Sequence, residues 1–215
     1  MVAQKKKRDE NATFLRILET GKKLMSKYGS NGFSIQQLTD MCQMTKGNLY
    51  NYIDSKRELY FAIHQREINL FSKSFEDIIQ NHPPKGNQVE LLHKIGNNYL
   101  DQAYSFPDRF HFVFKTDPPI SKKPMGIYES TFKYVHPMIL IKGVLQEGIE
   151  KGEFKDGAQS RFLAFFWGIC HGISTVMLDL PSLDPAWIGS IDPIDYLRYA
   201  KQKFGDYIFN DDFAI

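Results

Sequence analysis

Two cysteines in 215 residues, Cys42 and Cys170, are too few and too far apart for a disulfide framework, and they fit a reducing compartment. Those cysteines and the six histidines (His64, His82, His93, His111, His136 and His171) show no pairing at metal-ligand spacing. No glycine-rich loop follows a strand to cradle a phosphate, and neither HExxH nor GxSxG occurs. Cys170 and His171 are adjacent on a helix, so their side chains diverge by about 100° and cannot act as nucleophile and base. An enzyme or a metal protein is therefore not expected, and no cofactor is implied. No apolar run approaches the roughly 20 residues a bilayer-spanning helix needs. The lysine-rich start, MVAQKKKRDEN, is not followed by the apolar segment of a signal peptide. The expectation is a cytoplasmic protein without a membrane partner. Repeats of 20–50 residues, low-complexity tracts and strand-like alternation are missing as well.

Helical spacing is what the chain has in quantity, and the fold class it predicts is all-α, with about nine helices. A first helix is expected over 9–28, with Phe14, Ile17, Leu18, Met25 and Tyr28 on one stripe and Gly29 as its stop. Ser34 is an N-cap candidate for a second helix near 35–42, and Thr45 for a third near 46–52. Asp54 or Ser55 would cap a fourth, about 56–80. His82-Pro83-Pro84-Lys85-Gly86-Asn87 breaks the chain before helices near 88–105 and 108–114. Later helices are expected at 126–151, interrupted or kinked near Pro137, then at 158–179 and 193–209.

Charge is unevenly spread along this pattern. Residues 1–56 hold ten Lys/Arg against five Asp/Glu, so the first quarter carries +5 and the remainder −3. A basic end on a near-neutral body suits a module that faces a polyanion. Within it, two short helices joined by a brief turn and braced by a longer one make a helix-turn-helix, whose second short helix enters the major groove of DNA. Leu49 and Ile53, four apart, can hold that helix to its domain. Lys46, Asn48, Asn51 and Tyr52 then lie on other faces; asparagine can bind adenine in bidentate fashion, and lysine can reach guanine or phosphate. Gly47 lets the backbone come close. Tyr50 and Tyr52 can donate to phosphates, as can Lys56 at the start of the next helix. The bland alternatives are a core tyrosine, a solvated lysine and an asparagine that only caps a turn.

The stretches ILETGKKLMSKYG and FSIQQLTDMCQMTKGNLYNYIDSKRELY resemble, without a gap over residues 14–60, the N-terminal domain of the TetR (tetracycline-repressor-like) transcriptional regulators. The resemblance implies DNA contacts at Ser34, Gln36, Lys46, Asn48, Tyr50, Asn51, Tyr52 and Lys56, with the capping Thr45 among them. Three positions depart from the family pattern. Gln43 stands where glycine is usual in the turn and must take a strained geometry or reshape it, Phe33 stands where threonine is common, and Ile53 replaces a frequent aromatic.

Residues 1–56 are thus read as the DNA-binding domain, helix 56–80 as a connector, and 57–215 as a helical ligand-binding and dimerisation domain. Segments 158–179 and 193–209 have apolar faces broad enough for a four-helix interface between two copies, and Gly168 and Gly172 permit close helix approach. Phe110, Phe114, Tyr128, Phe132, Phe166 and His171 are candidate edges of a pocket for a small, mostly apolar ligand, though for any one aromatic residue a well-filled core is the better reading. The expected partners are a palindromic DNA operator, a second copy and a small-molecule effector that shifts the spacing of the two DNA-binding heads. A helical adaptor that binds proteins is the rival reading.

Overall fold

The computed structural model describes residues 12–133, 137–155 and 159–208, without the side chains of Gln159 and 205–208. Among them are nine α-helices of five residues or more, two single turns of four, one short 3-10 turn and no β-strand. In chain order the α-helices are α1 (Ala12–Tyr28), α2 (Ile35–Met41), α3 (Lys46–Tyr50), α4 (Lys56–Gln80), α5 (Gln88–Ser105), α6 (Pro107–Lys115), α7 (Ile127–Ser130), α8 (Pro137–Glu150), α9 (Gln159–Asp179), α10 (Pro185–Ile188) and α11 (Pro193–Ile208). They pack as two compact units. The first comprises residues 1–69 and 108–134, the second 70–107 and 135–215. By packing, then, residues 57–69 and 108–134 group with the N-terminal helices.

In the first unit α1 buries Phe14, Ile17, Leu18, Leu24 and Met25, while Tyr28, placed on the same stripe by its spacing, is exposed instead. Gly21 allows α4 to come close: a Cβ there would sit 2.7 Å from Leu59 Cδ2. Gly29, at φ 74°, ends the helix in the left-handed region. The core continues through Phe33, Leu38, Leu49, Ile53, Leu59 and Ile63 to Phe112. Beneath it lies an ionic knot. The Glu67 carboxylate, with 1 % of its side chain exposed, receives Lys22 of α1 at 3.1 Å, Arg66 of α4 at 3.1 Å and Arg109 of α6 at 3.2 Å. Three helices are thereby tied to one buried anion that removal of any cation would leave less well compensated.

In the second unit α5, α8, α9 and α11 form the bundle, joined by the last turns of α4 through Phe71 and Phe75, which pack edge-on and stacked against Tyr99. A Cβ on Gly96 of α5 would collide with the Phe204 ring of α11 at 2.1 Å, so that crossing requires glycine. Phe204 in turn meets Phe166 edge to face at 5.5 Å. Lys201 and Asp101 form an ion pair between α11 and α5. Asn87 caps α5 by accepting from the Val89 and Glu90 amides, as the breaker before it suggests.

Of two outcomes here, one selects between two expected alternatives and the other is a correction. The segment 126–151 is interrupted near Pro137, as one of the two expected alternatives has it, rather than kinked: α7 ends at Ser130, and α8 runs over Pro137–Glu150. Proline has no N–H and clashes with the carbonyl four residues back, so it opens a helix rather than sitting inside one. Second, one stretch, Ser160–Ser182, is long and apolar enough to cross a membrane by length and composition. Only 28 % of its apolar window is buried within the chain. The helix carries two apolar faces. Phe162, Phe166, Cys170 and Met177 are buried, whereas Phe165, Trp167 and Val176 are exposed. Gly168 and Gly172 share the outer side, with nothing within 4 Å of where a Cβ would stand.

Candidate nucleic-acid interface

α2 starts in a complete capping box: Ser34 Oγ accepts from the Gln37 amide at 3.1 Å while Gln37 Oε1 accepts from the Ser34 amide at 2.7 Å. It ends in a Schellman turn, where Gln43 adopts φ 51° and the Met44 amide donates back to the Thr39 carbonyl at 3.0 Å. Gln43 is, among the described residues, the one non-glycine in the left-handed region. The strained turn expected from its replacing glycine is therefore present, at a cost of about 1–2 kcal/mol.

The turn delivers Thr45, which caps α3 by accepting from the Asn48 amide at 3.2 Å. α3 is only five residues long, too short to stand by propensity, so its position depends on what it buries. Leu49 at 0 % and Ile53 at 1 % exposure are those anchors. Each contributes roughly 1.5–3 kcal/mol of burial. The expected contact residues fall into two groups. Ser34, Gln36, Thr45, Lys46, Asn48, Tyr50 and Asn51 are all exposed, along α2's first turn and α3. Gln36 is steadied by a 2.6 Å bond to Asp40. Gly47 has no heavy atom nearer than 4.0 Å to a would-be Cβ, so nothing inside the fold asks for glycine there.

Tyr52 and Lys56 form the second group, since both have work to do within the protein. The Tyr52 ring is half-buried and stacked on Phe14 at 6.1 Å. Lys56 Nζ donates to the carbonyls of Asn31 (3.1 Å) and Phe33 (3.0 Å) and lies over the Phe33 ring. It holds the α1–α2 connection against the start of α4. Of the two cap candidates for α4, Ser55 serves: its hydroxyl accepts from the Glu58 amide at 3.0 Å.

Several side chains absent from the sequence reading meet at this end of α4. Glu58 is 1 % exposed. One of its oxygens accepts from the Asp54 amide at 2.6 Å and the other from the Ile127 amide at 3.0 Å. Arg57 pairs with Glu129 at 2.6 Å, which raises the guanidinium pKa through the hydrogen bond to that carboxylate. The only local trace of these contacts is a run of charged residues, and their partners lie 69–72 residues away.

The six pocket candidates divide between the units. Phe110, Phe114, Tyr128 and Phe132 belong to the first, and Phe166 and His171 to the second. Phe110 is buried and packs on Phe114 at 4.9 Å. Tyr128 stacks on Phe14 at 5.5 Å, and Phe132 meets Phe61 and His64 edge to face. Phe166 lies in the bundle core, while His171 Nδ1 is 3.0 Å from the Tyr99 hydroxyl. Burial pushes the neighbouring Cys170 thiol far up, which leaves it unreactive. A cleft of about 360 Å³ between α1 and α2, lined by Lys23, Lys27, Tyr28 and Met41 among others, involves none of the six.

The family model described as bacterial regulatory proteins, tetR family, matches residues 17–63. Comparison with curated proteins gave no match. Among solved structures, the TetR family transcriptional regulator PfmR from Thermus thermophilus is similar at 16% identity and TM-score 0.62, over 90% of this chain and 96% of that one. A transcriptional regulator of the TetR/AcrR family from Thermobifida fusca is similar at 17% identity and TM-score 0.61, again over 90% and 96%. AibR, solved in complex with isovaleryl coenzyme A and operator DNA, is similar at 19% identity and TM-score 0.58, over 88% of this chain and 96% of that one. Residues 17–63 are thus similar to the tetR family of bacterial regulatory proteins, and the fold of the chain is similar to that of solved transcription regulators of the TetR family.

Proposed function

We propose that the chain is a DNA-binding transcription regulator that works as a cytoplasmic homodimeric repressor and leaves its operator when a small, mostly apolar ligand binds. The observation that carries the DNA-binding part is α3 itself. Its two apolar anchors are wholly buried while Thr45, Lys46, Asn48, Tyr50 and Asn51 are exposed around a glycine that the fold does not require. On this reading Asn48 and Lys46 read base edges, and Tyr50 grips phosphate. Lys56 contributes mainly by holding its loop in place, a narrower role than its sequence position suggests. The outer face of α9 supports pairing with a second copy, since a helix this apolar is left largely uncovered by its own chain. A relative in fold holds both an acyl coenzyme A and operator DNA, which supports an acyl or other apolar effector.

Fluorescence anisotropy with duplex DNA from upstream of the protein's own gene, titrated across salt, tests the reading. Specific binding with a steep salt slope is expected. Asn48→Ala should relax preference for that DNA over random duplex, worth about 1–3 kcal/mol of discrimination. Gly47→Ala should leave the fold intact or stabilise it by up to about 1 kcal/mol and yet weaken operator binding. Equal affinity of the wild-type protein for both duplexes would favour the adaptor. Thermal shift against acyl coenzyme A thioesters and lipophilic compounds tests the effector, and no stabilisation by any of them would retire it.

A further inference from the structure

The connection between α6 and α7 is pinned to the beginning of α4. Arg57 donates to the Pro119 carbonyl at 3.2 Å and pairs with Glu129, and Glu58 receives the Ile127 amide. Held there, the loop Ser121-Lys122-Lys123-Pro124 lies against the exit of α3. Lys123 Nζ donates to the Asp54 carbonyl at 2.9 Å and stands 5.5 Å from the centroid of the exposed Tyr50 ring. An ammonium has three donors, and the carbonyl takes one of them. Both Lys122 and Lys123 are exposed.

The charge distribution supports a role for this loop at the DNA face. Residues 108–133 carry five Lys/Arg against three Asp/Glu, and adding them to residues 12–69 gives the described part of the first unit 13 against 8, a net of +5. Residues 12–56 alone hold 6 against 3, a net of +3. The basic surplus is thus larger in the packed unit than in its N-terminal stretch alone, and the loop belongs to it.

We propose that Lys123 is a further phosphate contact of the DNA-binding face, supplied from a loop 69 residues beyond Asp54 in the chain. This rests on the DNA-binding reading above. Lys123 sets register and strength, and reads no base.

The test compares wild type, Lys123→Gln, Lys123→Arg and Lys46→Ala by anisotropy on two probes, the upstream duplex and a random duplex of the same length, across salt. Losing one phosphate contact per chain should lower the salt slope by about 0.9 per chain and weaken binding roughly eightfold per chain at about 0.1 M salt, equally on both probes. Lys123→Arg should restore both. Thermal unfolding of the same variants separates a structural role. If Lys123→Gln lowers the melting temperature but keeps the wild-type slope, or if only Lys46→Ala lowers the slope, Lys123 is a turn tether and the proposal is overturned while the DNA-binding reading stands. If wild type shows no salt-dependent binding to either probe, that reading fails first and takes the proposal with it.

Discussion

Gln43 shows how a single residue can be both legible and costly. The interval between the α2 pattern and the Thr45 cap leaves room for one sharp turn, and the family resemblance marks glycine as its usual occupant. A glutamine at φ 51° is the outcome. Gln43→Gly should therefore stabilise the protein by about 1 kcal/mol, the strain relieved less the greater freedom of glycine in the unfolded chain. Urea denaturation measures it, and a loss of stability would mean that the glutamine side chain holds the turn. His64 gives a second prediction at this scale. Buried among Tyr60, Phe112 and Phe132, it has a pKa lowered from its ordinary 6.5, chiefly by desolvation. In the unfolded chain it takes up a proton below about 6.5 while the folded chain does not, so stability should fall as the solution is acidified through that region. His64→Phe should flatten that part of the pH–stability curve; an unchanged curve would show that other groups set it. Lys56, by contrast, was not legible. Its acceptors are carbonyls 23 and 25 residues away, which carry no side-chain signature.

At the scale of elements, the helices with strong apolar stripes and clear caps lie close to where their periodicity places them. Ser34 and Thr45 cap as expected, and Asn87, the last residue of the expected breaker, caps α5. What periodicity could not supply is which elements share a core. Tyr128 and Phe112 look, in sequence, like any other aromatics of the middle region, yet they pack with Phe14 and Tyr60 of the N-terminal helices. That pairing depends on Arg57, Glu58 and Glu67 finding partners far along the chain, a three-dimensional event without a local pattern. The breadth of the apolar faces of α9 was legible, but which residues turn inward and which outward depends on its neighbours. Gly168→Leu should fold normally, because nothing of its own chain stands within 4 Å of the new side chain's root. It should nonetheless weaken a dimer built on that face by about 2 kcal/mol, roughly thirtyfold. Sedimentation across protein concentration measures this, and an unchanged association constant would move the interface elsewhere.

For the whole molecule, the sequence boundary at residue 56 and the packing boundaries differ in a way that charge explains. A running count along the chain finds the basic start but spreads residues 108–134 into the remainder, where five cations and three acids barely register. Only folding collects them with the first 69 residues. The Glu58 carboxylate then has a consequence for exchange with solvent. It accepts hydrogen bonds from the amides of Asp54, at the exit of α3, and of Ile127, at the start of α7. A ligand that stills one of those amides must also slow the opening of the other, because both openings expose the same buried anion. Deuterium uptake at Ile127 should therefore fall several-fold when DNA is bound at α3. By the reciprocity of linked equilibria, whatever frees Ile127 must loosen the grip on DNA by the same factor.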